Sequence, residues 1–390
     1  MVAPADWKEL EFSELCAPQK SRIDPRVSGG GDICVELEHI AGGRGQLLGV
    51  TNTSGSSSLK TNFEPGDVLF GKLRAYLRKY WLAEFPGVCS TEIWALSANR
   101  NQVIPGFLAQ IVRTEDFIEV ASISYGTHMP RSDWAIVSKL IVSMPPLKEQ
   151  EAIAEALSDA DAAIESLDAL IAKKRDIRDA MLFDLVVSSE HKNSVSFKSD
   201  VSLKARIGWQ GLTTGEYEVS SDCYLVTGTD LNGGAVNWES CWQVAQKRYD
   251  QDPNIQLRNN DVLVTKDGTI GKVGFVADLS GKATLNSGVF VIRPTTKNLI
   301  PEYLRYVMFS PLFRRFLDRL AAGSTISHLY QKDFVNFAFA VPAVDEQVVV
   351  SKMLDDVDSE IRTLIEQSAK LRMVKEGMMQ DLLTGKVRLV

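Results

Sequence analysis

The stretch Pro146 to Val186, PLKEQEAIAEALSDADAAIESLDALIAKKRDIRDAMLFDLV, decides the architecture because the chain contains it twice. The second copy runs from Pro342 to Leu383, PAVDEQVVVSKMLDDVDSEIRTLIEQSAKLRMVKEGMMQDLL. One constant shift of 197 superposes them without a gap: Pro145 on Pro342, Glu149 on Glu346, Gln150 on Gln347, Leu157 on Leu354, Asp161 on Asp358 and Met181 on Met378. In the first copy apolar residues recur at Ile153, Leu157, Ala160, Ile164, Leu167 and Ile171, then at Ile177, Met181 and Leu185, which is one face of a helix. In the second, Val350, Leu354, Val357, Ile361, Leu364, Val374, Met378 and Leu382 take the shifted positions, and only Ser368 interrupts the stripe. Two long helices sharing one seam are expected, built from Ile153, Leu157, Ile164 and Leu167 on one and Val350, Leu354, Ile361 and Leu364 on the other. Each enters behind a proline, carries acids early and bases late as the helix dipole favours, and the second reaches a glycine stop at Thr384-Gly385. About 40 residues at ~1.5 Å each make ~60 Å, longer than a compact domain needs. One such helix could equally cover its own domain; the repetition favours a pair of spacers.

With 390 residues, 45% of them hydrophobic, the chain is long enough for two cores of ordinary size. No window approaches eighteen uncharged apolar residues, and Met1 to Leu15 lacks the apolar stretch of a signal peptide, so a soluble, cytoplasmic protein away from membranes is expected. Five scattered cysteines, Cys16, Cys34, Cys89, Cys223 and Cys241, show no metal-ligand spacing and read as reduced, mostly buried thiols. The net charge of −7 is unevenly placed. Residues 147–186 carry ten acids and five bases, and residues 344–386 nine acids and six bases, so the helices hold −8 and the rest of the chain +1. Total charge therefore excludes no nucleic-acid contact by the globular parts, and makes one by the helices improbable on electrostatic grounds.

The globular parts also repeat, less closely. After Phe63-Glu64-Pro65-Gly66-Asp67, which reads as a turn into a strand, comes Gly71-Lys72-Leu73-Arg74-Ala75-Tyr76-Leu77-Arg78-Lys79-Tyr80-Trp81, with four cations, three aromatics and no acid. That composition suits phosphate contact with aromatic packing beside it, and suits equally a solvated strand whose aromatics face a core. A helical stretch, Gly106 to Ala121, follows Ile104-Pro105 and leads to a polar loop holding His128 and Arg131. In the second half Asn260 to Lys266 answers Gly66 to Lys72, Ile300-Pro301 answers Ile104-Pro105, and a helix to about Leu320 carries Arg305, Arg314, Arg315 and Arg319. There a local shift of 200 sets His328 on His128, Asp333 on Asp133 and Phe334 on Trp134. The loops Arg206 to Leu212 and Thr229 to Gly234 have no counterparts in the first half; a repeated scaffold with divergent loops suits two readers of different ligands of one kind. The order is domain 1–146, helix 147–187, domain 188–343, helix 344–390.

Catalytic signatures are missing. Lys266 to Lys272 ends in Gly-Lys but lacks the rest of a phosphate-binding loop, and reads as a hairpin turn. Gly43 to Leu48 lacks the third glycine of a dinucleotide fingerprint, Asp252-Pro253-Asn254-Ile255 lacks half of an amino-methyltransferase motif, and Glu190-His191-Lys192 lies in a Ser-rich linker. No catalytic residue and no metal ligand set is assigned, and a binding module outranks an enzyme.

The two Pro-x-x-x-Glu-Gln entries, the two long helices, the ending Met378 to Lys386, and the segments Gly66 to Arg74 and Thr265 to Lys272 together resemble the DNA specificity subunits of type I restriction-modification systems, over the whole chain. The resemblance implies an α+β fold: two target recognition domains of mixed α/β type, joined by helices that pair as an antiparallel coiled coil. It implies a non-catalytic subunit that reads a bipartite, asymmetric site on double-stranded DNA. It binds no cofactor itself; two modification subunits using S-adenosylmethionine methylate adenine, and restriction subunits add ATP- and magnesium-dependent translocation and cleavage. The family carries over no fixed base-reading residues. Composition and loop placement nominate Lys72, Arg74, Arg78, Lys79, His128 and Arg131 in the first domain, and Arg206, Trp209, Gln210, Lys266, Thr269, Lys272, His328, Tyr330 and Gln331 in the second. The competing reading is a helical scaffold whose two domains bind proteins or peptides.

Overall fold

A computed structural model describes residues 4–28, 31–123, 129–188, 193–321 and 328–389. Both long helices form, Leu147–Leu182 and Val344–Leu383, and the first continues as a π-helical stretch, Phe183–Ser188. Only one of the two compact units is a consecutive piece of sequence. One comprises Met1–Asp168 with Glu366–Val390, the other Ala169–Ile365, so each takes part of both long helices.

In the first unit a ribbon pairs Lys8–Glu11 with Ile141–Met144, closing the domain at the foot of the first long helix. A four-stranded antiparallel sheet runs in the order Cys16–Pro18, Ile93–Ala98, Val68–Gly71, Tyr80–Leu82. A second, five-stranded sheet runs Arg22–Ile23, Lys60–Phe63, Gly87–Ser90, Ile33–Val35, Thr51–Asn52. The second unit repeats the ribbon with Asn193–Ser196 and Ala338–Val341, and the strand order with Val201–Ala205, Val289–Pro294, Val262–Thr265, Val273–Phe275. It then departs: two more strands, Gly234–Val236 and Leu231–Asn232, extend this sheet, and a separate sheet joins Trp242–Gln243, Cys223–Val226 and Lys282–Leu285. The fold is α+β, two mixed domains each followed by a long helix.

The repeated sequence signatures have local physical causes. Asp67 and Asp261 are buried carboxylates at the same turn: Asp67 accepts from Ser97 Oγ and the Glu64 amide, Asp261 from the Arg293 guanidinium and the Arg258 amide. Gly66 (φ 92°) and Asn260 (φ 72°) hold the left-handed position just before them, which residues with a larger Cβ-bearing side chain adopt only with strain. The Gln of each helix entry is equally buried. Gln150 accepts from the Ile104 amide at 3.0 Å and donates to the Gln102 and Pro145 carbonyls; Gln347 accepts from the Ile300 amide at 3.0 Å and donates to the Asn298 and Pro342 carbonyls. One amide side chain thus ties each long helix to the Ile-Pro helix of its own domain. The expected single helix after Ile300-Pro301 is two, Pro301–Phe309 and Pro311–Leu320, because Pro311 offers no amide and Ser310 Oγ caps the Leu312 amide; the first unit divides likewise at Thr114, which caps Glu115–Ser122.

The seam residues serve two different purposes. Ile153 and Leu157 join the aromatic core of the first unit, with Phe12, Phe70, Phe107 and Phe117 and with Leu382 of the other helix. Val350 and Leu354 join that of the second, with Phe197, Tyr303, Phe313 and Phe334 and with Leu182. Each buried leucine there contributes about 2 kcal/mol. Farther along, Ile164 and Ile361 are buried while Leu167 and Leu364 are half-buried.

Within the first unit Asp161 pairs with Lys375, and Asp168 accepts from Ser368 Oγ at 3.0 Å and from Arg372 at 2.5 Å. Within the second, Lys174 meets Glu360 at 2.8 Å and Arg178 meets Asp358 at 3.2 Å. Residue numbers rise on one helix as they fall on the other, so in each unit the helix segments run antiparallel. Ser368, the break in the apolar stripe, is buried and bonded. Two stripe positions are corrected: Ile177 and Val374 are 41% and 49% exposed, and the neighbours Arg178 and Lys375 turn inward instead. A strict seven-residue step from Leu157 through Ile164 and Ile171 lands on Arg178, and from Leu354 through Ile361 and Ser368 on Lys375. Asp358 and Asp161 await the two cations there.

Candidate nucleic-acid interface

The cationic run of the first domain is a strand, a tight turn and a return strand. Val68–Gly71 leaves the sheet, Ala75–Leu77 forms a single turn of 3-10 helix, and Tyr80–Leu82 comes back. The aromatics divide between core and solvent: Tyr80 and Trp81 are buried, Tyr76 is 56% exposed. Among the cations, Lys79 Nζ donates to the Leu37 carbonyl at 2.6 Å, and Arg78 pairs with Glu115, holding that carboxyl below its ordinary range. Lys72 and Arg74 have no side-chain hydrogen bond or ion pair among the described residues. The Lys72 carbonyl accepts from the Ser132 amide, and Leu73 bridges to Arg131, so residues 131–132 lie against the turn. Arg131 grips Glu92 with two nitrogens at 2.8 and 3.1 Å.

The second domain builds the same corner. The Lys266 carbonyl accepts from the Leu329 amide and Asp267 bridges to His328. The His328 ring pairs with the Asp267 carboxylate and lies 4.5 Å from the Tyr330 ring, which is 54% exposed and has Lys332 Nζ 5.4 Å over it. Lys266 Nζ stands 3.4 Å from the same carboxylate and 5.9 Å over the Phe290 ring. Thr269 and Lys272 are exposed at the turn that joins Val262–Thr265 to Val273–Phe275, and Gln331 Nε2 donates to the Leu203 carbonyl at 3.2 Å.

These bridges correct the alignment of the loops. His328 occupies the place of Arg131, not of His128, and the helix Gln331–Phe334 that of Trp134–Val137, both at the general shift of 197. Asp133 and Asp333 matched by composition, whereas backbone pairing and the buried Val137 and Phe334 set the true register.

Arg206 and Gln210 are corrected as well. Arg206 is 2% exposed; its Nε donates to the Leu285 carbonyl at 2.7 Å and its Nη2 to Thr284 Oγ1 at 3.1 Å. Burial pushes its guanidinium below the ordinary value. It cross-links strands and presents nothing to a groove. Gln210 is also buried. His128 and the Trp209 side chain lie outside the described residues. Remaining on the surface are two corners of like construction, Lys72, Arg74 and Arg131 in one, Lys266, Lys272, His328 and Tyr330 in the other. Sequence reading missed Glu92, Asp267 and Lys332; cross-strand pairing reveals the first two, and the ring of Tyr330 beneath its ammonium the third.

The model of the type I restriction modification DNA specificity domain matches residues 4–173 and again residues 212–371. The chain belongs to this family. It is a type I specificity subunit, a non-catalytic component. The specificity subunit of the type I restriction enzyme MjaVIII from Methanocaldococcus jannaschii is 24% identical over 67% of this chain and 66% of its own length. That of EcoBI from Escherichia coli is 23% identical over 80% of this chain and 72% of its own. The S subunit of a type I system from M. genitalium superposes with a TM-score of 0.62 at 14% identity over 96% of each chain. A chain from a study of assembly and conformational transition of the type I system superposes at 0.61 and 20% identity, over 99% of this chain and all of that one. The specificity-subunit fold therefore extends over nearly the full chain. Among the described residues no helix is long and apolar enough to cross a membrane.

Proposed function

We propose that this subunit reads a bipartite, asymmetric site on double-stranded DNA, with residues 1–146 and 188–343 each reading one half. The long helices are the spacer; a helix of 36 residues is about 54 Å long, more than one turn of B-form DNA at about 34 Å. One observation carries the reading: the ribbon, the strand order, the glutamine tie and the cationic corner are common to both domains, whereas the additional sheets and the loops on them differ. A shared frame with unlike loops is what two unlike half-sites require.

In this reading two modification subunits dock on the chain and methylate adenine from S-adenosylmethionine, and restriction subunits add ATP- and magnesium-dependent translocation and cleavage, in the cytoplasm. Its own residues do no chemistry; they position the DNA. Phosphate contacts from the corner cations set orientation, and polar side chains on the loops read base edges in the major groove. The test is methylome sequencing of a host carrying this chain with its modification subunit. A methylated adenine motif in two parts around an unread gap is expected, and methylation without a split motif overturns the proposal. Replacing residues 188–343 by the corresponding domain of another member should change one half of the motif alone.

A further inference from the structure

The turn between Val68–Gly71 and Tyr80–Leu82 contains a feature that packing does not require. Arg74 has φ 55° and Arg78 has φ 51°, both in the left-handed region. Among the described residues every other such position belongs to glycine, asparagine or aspartate, the types that tolerate it. The second domain makes the equivalent turn: the Thr265 amide donates to the Lys272 carbonyl as the Gly71 amide donates to that of Lys79. Its left-handed positions are Gly268 (φ 67°) and Gly271 (φ 83°). That turn is one residue shorter and has glycine at both of its left-handed positions, whereas the first domain places arginines at both of its own.

Among the described residues nothing rewards this placement at Arg74. The residue is exposed, its amide donates to the Pro130 carbonyl at 2.9 Å as any residue's would, and its guanidinium has no partner among the described residues. Arg78 leans on Glu115, itself 67% exposed. Between them Tyr76 and Leu77 stand 56% and 42% exposed at the tip. Strain at an exposed, partnerless cation points outward, to a ligand that needs the charge there.

We propose that Arg74–Arg78 is a phosphate grip. Arg74, and Arg78 on exchanging Glu115 for DNA, clamp the duplex backbone, with Tyr76 and Leu77 resting on the adjoining sugars, and the contact is independent of base sequence. Composition argues for a polyanion: residues 71–81 hold four cations and no acid. Fixed φ at both arginines aims the side chains before binding, which suits positioning better than base reading. The second domain, with glycines there, grips the backbone elsewhere or less firmly, so the two half-sites are held unequally. This rests on the proposed DNA-reading function and adds its mode of contact.

The test uses the full chain in complex with its modification subunits, and two duplexes, one of random sequence and one carrying the methylated motif. Arg74→Gly should leave Tm unchanged or raise it, since the strain is relieved, and weaken binding to both duplexes by the same factor. Loss of one phosphate contact at roughly 0.1 M salt is about eightfold, and lowers the slope of log K against log salt by about 0.9. Arg74→Lys should retain most of the affinity. Glu115→Gln, which frees Arg78, should tighten binding to both duplexes. If the wild-type complex binds DNA and Arg74→Gly binds identically, or loses affinity for the motif duplex alone, the grip is wrong while the DNA-reading function stands. A lowered Tm with unchanged binding also overturns it, as a purely structural role. A wild-type complex that binds neither duplex removes both readings.

Discussion

Gln150 and Gln347 do the same work in the two domains, and the residues just before them, Glu149 and Glu346, do not. Each glutamine satisfies one backbone amide and two backbone carbonyls where a long helix begins. Glu149, buried, accepts from the Trp7 indole at 3.2 Å and from Arg388 at 2.5 and 2.8 Å, and Arg388 also holds Asp6. Glu346 is exposed and makes no side-chain hydrogen bond or ion pair among the described residues. A duplicated motif is therefore not a duplicated function. The glutamine is part of the repeated frame, whereas the glutamate has been recruited once, in the unit where the beginning and end of the described chain meet.

The largest effect should follow from breaking the shared element. Gln150→Leu and Gln347→Leu each strand one buried and two partly buried backbone groups, and each should cost about 2–4 kcal/mol in denaturant titration. Equal losses would support the equivalence; a loss confined to one domain would end it. Next is the unshared element. Glu149→Ala leaves the buried Trp7 indole N–H without its acceptor and should cost about 1–3 kcal/mol, whereas Glu346→Ala should stay within about 0.5 kcal/mol by the same titration. A third comparison concerns the cations turned into the helix seam. Lys375→Met leaves Asp161 with Arg113 at 2.8 Å, and Arg178→Met leaves Asp358 with Tyr306 Oη at 3.2 Å, so each should shift stability by only about 1 kcal/mol. A loss several times larger in one variant would show that its remaining partner does not compensate.

The smallest effect is a pH dependence. Burial pushes the Asp168 carboxyl up, but hydrogen bonds from Arg372 and Ser368 outweigh it, and the net direction is down. A lowered folded value means that the unfolded chain binds the proton more tightly. The stabilisation is then complete above the unfolded value of about 3.9 and disappears as pH falls through the folded one. Because the pair is more than a third exposed, the contribution is under about 0.5 kcal/mol. The Tm gap between wild type and Asp168→Asn should be open at about pH 6 and close on acidification below the ordinary carboxylate range. A gap that widens on acidification would contradict the sign.

Much of this frame is legible in sequence because it rests on period and repetition. The shift of 197, the two helices and the domain order follow from residues that recur at fixed spacing. The reason for the Pro-x-x-x-Glu-Gln signature is not legible, since the partners of Gln150 and Gln347 are backbone groups more than forty residues away. Periodicity also misjudged Ile177 and Val374. Hydrophobicity argued for the apolar residue inside, while the heptad step and an acid on the facing helix put Arg178 and Lys375 there. The candidate interface was read least well. Exposure cannot be inferred from charge alone, and Arg206, an arginine in a Gly-rich loop, is spent on the Leu285 carbonyl and Thr284.

Gly385 has φ 72°, and a Cβ on it would come within 2.6 Å of Pro4 ring atoms and 3.2 Å of Trp7. The end of the second long helix is therefore seated on the opening residues, and Arg388 bolts the joint. The consequence concerns time rather than energy. Loosening is ordinarily independent in segments far apart in sequence, but here residues 4–7 are held by residues 385–388. Amide exchange in these two segments should share one rate and one temperature dependence, and Arg388→Ala should speed both together.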